Sequence, residues 1–213
     1  MKIDSRLIVS MAIGVCAASA AASPDVKIYG SPNGKFQFEH STTLIACVRT
    51  APSDAIHWEP EDCQGYIDPC GYENGNLNTI VCLAFPRAEL DHYGVVTAAA
   101  FHVAEMTDRN DKSACLDPRE LLIDDRTASK LQINGEVFLH AERAYGGLGH
   151  MERQFIYRTF HDGTCYQLET TVTSSSGGLD LRDDEVERIY TEELAKVQHR
   201  LKRAVDTFRF LKK

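Results

Sequence analysis

The stretch 130–176 constrains the fold most, because it alternates between apolar and polar residues in runs that turn signals separate. In its last run, Tyr166, Leu168, Thr170 and Val172 alternate with Gln167, Glu169 and Thr171. A period of two is typical of strands with one buried face. Turn signals lie between the runs at Asn134-Gly135, at Gly146, Gly147 and Gly149, and at Asp162-Gly163. Since Asn-Gly tolerates positive φ at both positions, the stretch predicts a half-buried antiparallel meander.

A long amphipathic helix is predicted after the meander. It begins near Asp183-Asp184-Glu185, where carboxylates suit the positive pole of a helix. Apolar residues then recur every three or four positions, at Val186, Tyr190, Leu194, Val197, Leu201, Val205 and Phe208. This stripe predicts that the helix covers the apolar face of the meander. A short strand is expected at 206–211.

The first half predicts further strands at 35–40, 43–48, 79–85 and 95–103. The last of these strands has small side chains in its middle, at Ala98, Ala99 and Ala100, which indicates that another group packs closely against it. A polar loop is expected at 105–112 and a short helix at 118–123, after the capping residue Asp117. We therefore predict a flexible lead-in at 23–34 and one α+β domain at 35–213, with an irregular excursion at 47–82.

The N-terminus has the features of a signal peptide covering 1–22. Lys2 and Arg6 precede the apolar run 7–15, and small residues follow at 17–23. The apolar run is short for a bilayer span, although retention as an anchor and lipidation of Cys16 stay open. The sequence predicts export to the periplasm or the extracellular space, with no membrane insertion after cleavage. A formal net charge of −8 without a basic cluster argues against nucleic-acid binding.

Six cysteines remain after the predicted cleavage, and they indicate disulfide bonds. They are Cys47, Cys63, Cys70, Cys82, Cys115 and Cys165. An even number in an exported chain favours three structural bridges, and no CxxC or finger-type spacing is present. The first four crowd into one segment, so we predict that they pair among themselves and that Cys115 pairs with Cys165. Which of the first four pair with one another stays open.

Several segments resemble the PsbP/Mog1-like α/β/α sandwich. They are the strand at 35–38, the meander and the C-terminal helix that runs into 206–210. A narrower resemblance is to a group of secreted bacterial proteins, and it lies in the segments 149–152, 157–161 and 165–168. Members of the PsbP/Mog1 group are generally binding or assembly factors. The resemblance thus implies a non-enzymatic binding or assembly module of the cell envelope, whose partner is an envelope or extracellular protein or a small ligand. The excursion at 47–82 departs from the Mog1-type pattern.

Two groups of residues are candidate sites. The first is a divalent-metal site, for a metal-binding protein or metal-dependent enzyme, because two histidines and two carboxylates lie in i, i+2 pairs on adjacent predicted strands: His140 with Glu142, and His150 with Glu152. The alternative is a solvated outer face of the sheet. No other cofactor is expected, and no serine or cysteine lies in a nucleophile motif.

The second group consists of aromatic residues in the excursion. Trp58, Tyr66 and Tyr72 would serve as anchors for a partner if they are exposed on a disulfide-stapled loop. The same loop would suit a secreted inhibitor or effector. The alternative is that these rings cap one end of the core.

Overall fold

The computed structural model describes residues 25–49, 58–59, 63, 70, 77–91, 95–121, 128–147, 149–175 and 184–212. Its strands are β1 Val26–Gly30, β2 Phe36–Ser41, β3 Ile45–Arg49, β4 Trp58–Glu59, β5 Leu77–Ala84, β6 Val96–Met106, β7 Ser129–Ile133, β8 Glu136–Gly147, β9 His150–His161, β10 Thr164–Ser175 and β11 Arg209–Phe210. Its helices are α1 Arg87–Leu90, α2 Lys112–Cys115 and α3 Asp184–Thr207, with a 3₁₀ turn at Pro118–Glu120. The predicted signal peptide lies outside the described residues.

Two antiparallel sheets contain these strands. The larger one has the order β4-β3-β5-β6-β10-β9-β8-β7, and the smaller one has the order β1-β2-β11. After β6 the chain passes to the far edge of the large sheet and returns through β7, β8 and β9, so that β10 lies beside β6. The predicted meander and the α+β class are both confirmed.

Two tight turns fix the register of the meander. Asn134 and Gly135 have φ of 47° and 92°, and Asp162 and Gly163 have φ of 47° and 78°. Positive φ at both central residues is the type I′ geometry that two-residue hairpins favour. The Asn134 side chain also donates hydrogen bonds to the carbonyl oxygens of Asp206 (3.0 Å) and Phe208 (2.8 Å). The first turn is thereby tied to the end of α3.

The main core lies between the large sheet and a layer made of α3 and the small sheet. Phe208, just after α3, has its ring centroid 5.2 Å from Phe36 and 6.1 Å from Phe138. Phe38 of the small sheet meets Phe101 of β6 edge-on at 4.9 Å. Val197, Leu201 and Val205 of the predicted helix stripe are buried in the same core. The prediction that α3 covers the apolar face of the meander is confirmed.

The β10 strand differs from the half-buried strand that its alternation predicts. Every residue from Cys165 to Ser174 is buried, and the polar residues Gln167 and Glu169 are only 3% and 5% exposed. The reason is that the face of the sheet opposite α3 is also covered. Leu121 packs there against Leu139 and Ile156, and Cys115 packs against Cys165.

The predicted lead-in at 23–34 contains a strand. Its prolines and glycines favour turns, yet β1 pairs with β2 from Val26 opposite Ser41 to Gly30 opposite Gln37. The Tyr29 ring stacks 5.0 Å from that of Phe38, so side-chain packing accompanies the backbone pairing. Contacts that are distant in sequence thus outweigh the local turn signals.

The connection after β6 also differs from its prediction. β6 extends to Met106 inside the predicted loop, where Glu105 lies opposite Tyr166 and forms an ion pair with Lys35 at 3.1 Å. α2 follows, and Asp111 caps it by accepting a hydrogen bond from the backbone N–H of Ala114. Of the helix predicted at 118–123, the structure describes residues 118–121, and these form the 3₁₀ turn, which Asp117 caps.

Three disulfides confirm the cysteine prediction. They join Cys47 to Cys63, Cys70 to Cys82, and Cys115 to Cys165. Bridges persist in oxidising compartments, so the protein is extracytoplasmic. Among the described helices, none combines the length and apolar character that a membrane span requires.

Candidate functional site

The four predicted metal ligands lie on one hairpin, and the hairpin register separates them. His140 lies opposite Tyr157, whereas His150 lies opposite Gly147. Gly147 is seven residues along β8 from His140, roughly 23 Å at about 3.3 Å per residue. The two histidines are therefore far apart.

The two predicted pairs also point to opposite faces of the sheet. Residues that lie directly opposite each other on paired strands share a face. His140 and Glu142 share theirs with Tyr157 and Phe155, and this face is turned toward α3. Since side chains alternate along a strand, His150 and Glu152 point to the other face. A single site built from all four residues is incompatible with this arrangement.

The two carboxylates of that prediction have local partners instead. Glu142 forms an ion pair with Arg153 at 3.1 Å, and Glu152 accepts a hydrogen bond from the Gln154 amide at 2.6 Å. Burial raises the pKa of Glu152. Within the described part of the chain, the group of three metal-type ligands with mutually close atoms is Cys47, Cys70 and Cys82, all held in disulfides.

The aromatic residues of the excursion are only partly within the described residues. The backbone of Trp58 pairs in β4 with Arg49 of β3. Tyr66 and Tyr72 lie outside the described residues. Partner binding by these three residues stays a prediction.

A cavity of about 640 Å³ lies between α3 and the edge of the large sheet. α3 packs on β2, β6 and β10 and touches β7, while β8 and β9 lie between β10 and β7 in the sheet. Because the sheet twists, a straight helix cannot follow all of its strands equally closely. The space left above β8 and β9 is this cavity.

The cavity has an apolar floor and a polar rim. Its lining consists of Leu131, Gln132, Ile133, His140, Phe155, Tyr157, Thr170, Ala195, Gln198, His199, Lys202, Val205 and Asp206. The floor residues Ile133, Tyr157 and Val205 are buried, whereas the rim residues His199 and Lys202 on α3 are exposed. The opening therefore faces solvent along α3, and the deep part is aromatic and aliphatic.

The titratable groups of the cavity are arranged so that its deep part carries no net charge. Burial lowers the pKa of His140 below its ordinary value. Burial, and then the charges of Asp206 and Glu142, raise the pKa of Tyr157 to about 12. The two rings lie 4.7 Å apart and are both neutral at neutral pH. At the rim, Lys202 donates to both oxygens of Asp206 at 2.5 and 2.6 Å, so these two charges compensate each other.

Only His140 of this lining was a candidate site residue from the sequence, and as a metal ligand. The sequence contained a signal that His140 faces the core, because His140 stands two residues from Phe138 on the apolar side of β8. A histidine in that position lines the core side of a sheet and not its solvated side. The cavity itself depends on how far α3 stands from the sheet, which no local pattern encodes.

No family model and no curated protein matches this sequence. Several solved structures are similar to it, and three of them are as follows. One is a protein from Bacteroides thetaiotaomicron VPI-5482, with 12% identity and a TM-score of 0.43. The similarity covers 88% of this chain but only about half, 49%, of that protein. Another is LpqN of Mycobacterium tuberculosis, described as involved in cell envelope biogenesis (8% identity, TM-score 0.45, 88% of this chain and 91% of LpqN).

The third similar structure is the cyanobacterial PsbP of Synechocystis sp. PCC 6803 (10% identity, TM-score 0.38, 93% of this chain and 99% of PsbP). The resemblance to the PsbP/Mog1-like group is thereby confirmed as a structural similarity. All three TM-scores lie below 0.5, so these similarities carry no conclusion about function.

Proposed function

We propose that this protein is an exported, non-enzymatic binding domain of the cell envelope or the extracellular space, and that its cavity under α3 takes one uncharged amphipathic small molecule. The observation that carries this proposal is the cavity of about 640 Å³ with an apolar floor and a polar rim. Ligand sites usually have volumes of roughly 300–1,000 Å³ and a mostly apolar lining with a few polar groups.

The floor selects the apolar part of the ligand. Leu131, Ile133 and Val205 present aliphatic side chains, and Phe155 adds an aromatic ring. Burial of each methylene group on such a surface contributes about 0.8 kcal/mol. The ligand therefore carries an alkyl or aryl body that reaches the floor.

The polar groups select the uncharged end of the ligand. The Gln198 amide nitrogen is buried and has no hydrogen-bond partner among the described residues. A hydroxyl or carbonyl oxygen in the cavity would accept from it and satisfy it. An ionic head group would be buried beside neutral His140 and Tyr157, while Lys202 is already paired with Asp206. Such a charge would be costly because nothing there compensates it.

The proposed location follows from the disulfides and from the signal-peptide features of 1–22. In the periplasm or outside the cell, a small binding domain meets amphipathic molecules that leave or enter the envelope. Its role is capture of such a molecule without chemical change.

Calorimetric titration with a series of primary alcohols tests this proposal. We expect one alcohol bound per chain and an affinity that rises about fourfold per added methylene, the equivalent of about 0.8 kcal/mol, until the chain fills the cavity. Fatty-acid anions of the same chain length should bind more weakly than the alcohols. An affinity that does not depend on chain length would contradict the proposal, as would preferential binding of the anions.

A substitution that fills the cavity identifies the site of binding. Ala195 lies on α3 and lines the cavity, so Ala195→Trp should reduce alcohol affinity at least tenfold by occupying the space. The matched control is Ala88→Trp, at an exposed alanine in α1 outside the cavity. If both variants bind like the wild-type protein, the alcohols bind elsewhere and the proposal is wrong.

A further inference from the structure

The face of the large sheet opposite α3 contains a buried polar network on its three central strands. Its members are His102 of β6, Arg158 of β9 and Gln167, Glu169 and Thr171 of β10. Arg158 is 7% exposed, and the others are more deeply buried. Charged residues are rarely buried without a specific role, because the loss of hydration is costly.

The hydrogen bonds of this network converge on the Glu169 carboxylate. Arg158 donates from Nε to the Gln167 side-chain oxygen at 2.8 Å, and Gln167 donates to Glu169 at 2.9 Å. Glu169 also accepts from the Thr171 hydroxyl at 3.1 Å and lies 3.5 Å from His102 Nε2. The Glu169 end of the network is therefore supplied with donors.

The Arg158 end of the network is not satisfied. Its Nη1 is buried and has no hydrogen-bond partner among the described residues. A buried N–H of a guanidinium group without an acceptor costs more free energy than a neutral one. Burial, and then the nearby charges of Arg143 and Arg109, lower the pKa of Arg158 to about 10. The Nη1 group of Arg158 thus lacks an acceptor among the described residues, and the guanidinium lies near other cations.

The nearby cations gather at the end of the 3₁₀ turn. Arg143 donates to the carbonyl oxygens of Leu121 (3.1 Å) and Glu120 (3.0 Å), and Arg109 forms an ion pair with the Glu120 carboxylate at 2.7 Å. Leu121 packs on Leu139, the residue that lies opposite Arg158 on β8.

Two of these three guanidinium groups have no carboxylate partner among the described residues. Arg109 is matched by Glu120 and by Asp108. Arg143 bonds only to carbonyl oxygens and Arg158 only to an amide, and no described carboxylate lies within 4.0 Å of either group. An anion that both groups contact would supply the missing acceptor and the missing negative charge.

We propose that Arg158, assisted by Arg143, binds a small oxyanion, either a carboxylate or a phosphate, on the face of the large sheet opposite α3. A planar guanidinium presents parallel N–H groups that match two oxygens of such an anion. The Gln167 bond to Nε holds the Arg158 plane in place and leaves Nη1 for the ligand. This oxyanion site is separate from the cavity under α3. The proposal for the site does not depend on the function proposed for that cavity.

Calorimetric titration with inorganic phosphate and with acetate, in chloride at constant ionic strength, tests this proposal. We expect one oxyanion bound per chain, and an affinity at least tenfold lower in Arg158→Gln and severalfold lower in Arg143→Gln. Tighter binding of phosphate than of acetate would identify a phosphate site, and the reverse order would identify a carboxylate site. Arg119→Gln is the matched control, because Arg119 follows Asp117 in the same turn and is exposed.

Loss of folding is separated from loss of binding by two measurements. Each variant should keep the wild-type circular dichroism spectrum and a single cooperative transition in urea. If Arg158→Gln fails these checks, the variant of the less buried Arg143 decides the question by itself. Absence of oxyanion binding to the wild-type protein, or equal affinities in the wild type and Arg143→Gln, would overturn the proposal.

Discussion

The two faces of the large sheet are both buried, but they are stabilised in different ways. The face toward α3 is filled by aromatic and aliphatic side chains from two sheets and a long helix. The opposite face carries a hydrogen-bonded polar network and small alanines, and the cysteines of all three bridges lie along its borders. Where a regular helix supplies apolar area, packing suffices. On the opposite face the covering segments, α2 and the 3₁₀ turn, are short. Disulfide bridges and side-chain hydrogen bonds supply there the stabilisation that apolar packing supplies on the α3 side.

The same contrast separates the two proposed sites. The cavity under α3 is neutral in its depth and suits an apolar body, whereas the opposite face has an unsatisfied guanidinium and suits an anion. One protein thus offers two sites of opposite chemistry on the two sides of a single sheet.

The largest expected effect comes from Phe208, at the centre of the aromatic core. Phe208→Ala should lower the free energy of unfolding by about 3–5 kcal/mol, because a fully buried ring leaves a cavity. Urea unfolding measures this loss. The matched control is Phe210→Ala, since Phe210 is only partly buried and should cost less. Equal losses in the two variants would contradict a core centred on Phe208.

A smaller effect, in the form of a coupling, is expected on the polar face. Glu169→Leu leaves the donors of Gln167 and Thr171 unpaired, and Arg158→Met leaves the Gln167 oxygen unpaired. Each change should cost about 3 kcal/mol. The double variant should lose roughly 1 kcal/mol less than the sum, because both belong to one network. A double-mutant cycle, with stability measured by urea unfolding, gives this coupling energy. Strictly additive losses would show that Glu169 and Arg158 do not belong to one coupled network.

The smallest expected effect is a pH dependence on the cavity side. The folded-state pKa of His140 is lowered by burial, so below about pH 6.5 the unfolded chain binds a proton that the folded chain does not. Stability should therefore fall as the pH decreases from about 7 toward the folded-state pKa, and His140→Gln should reduce this slope. Burial also lowers the pKa of His40, so part of the slope should remain.

Urea unfolding at a series of pH values between neutral and mildly acidic measures this slope. His199→Gln is the control, because His199 is exposed on the rim of the cavity. If His140→Gln leaves the slope unchanged, or makes it steeper, partial burial does not lower the pKa of His140.

Local signals in the sequence predict much of the fold. Asn134-Gly135 and Asp162-Gly163 form the turns that their φ preferences favour, and Val197, Leu201 and Val205 of the apolar stripe of α3 are buried as predicted. The metal-site prediction considered only which residues within one strand share a face. It did not consider which residues of the two paired strands share a face. Since His140 lies opposite Tyr157, even-numbered residues of β8 share a face with odd-numbered residues of β9.

Two features were beyond local signals. Gln167, Glu169 and Thr171 have the pattern of a solvated face, and only the cover supplied from elsewhere in the chain buries them. The cavity likewise results from the distance between α3 and the sheet. Both are tertiary properties, and tertiary context overrides local preference for residues in strands.

The most direct test of this account is a methyl NMR titration of the wild-type protein with hexanol. We expect the methyl resonances of Leu131, Ile133 and Val205 to shift together with one affinity, while those of Ala100 and Ala104 on the opposite face stay in place. This result would place an uncharged amphipathic ligand under α3. Shifts confined to the alanines, or no saturable shift at all, would contradict it.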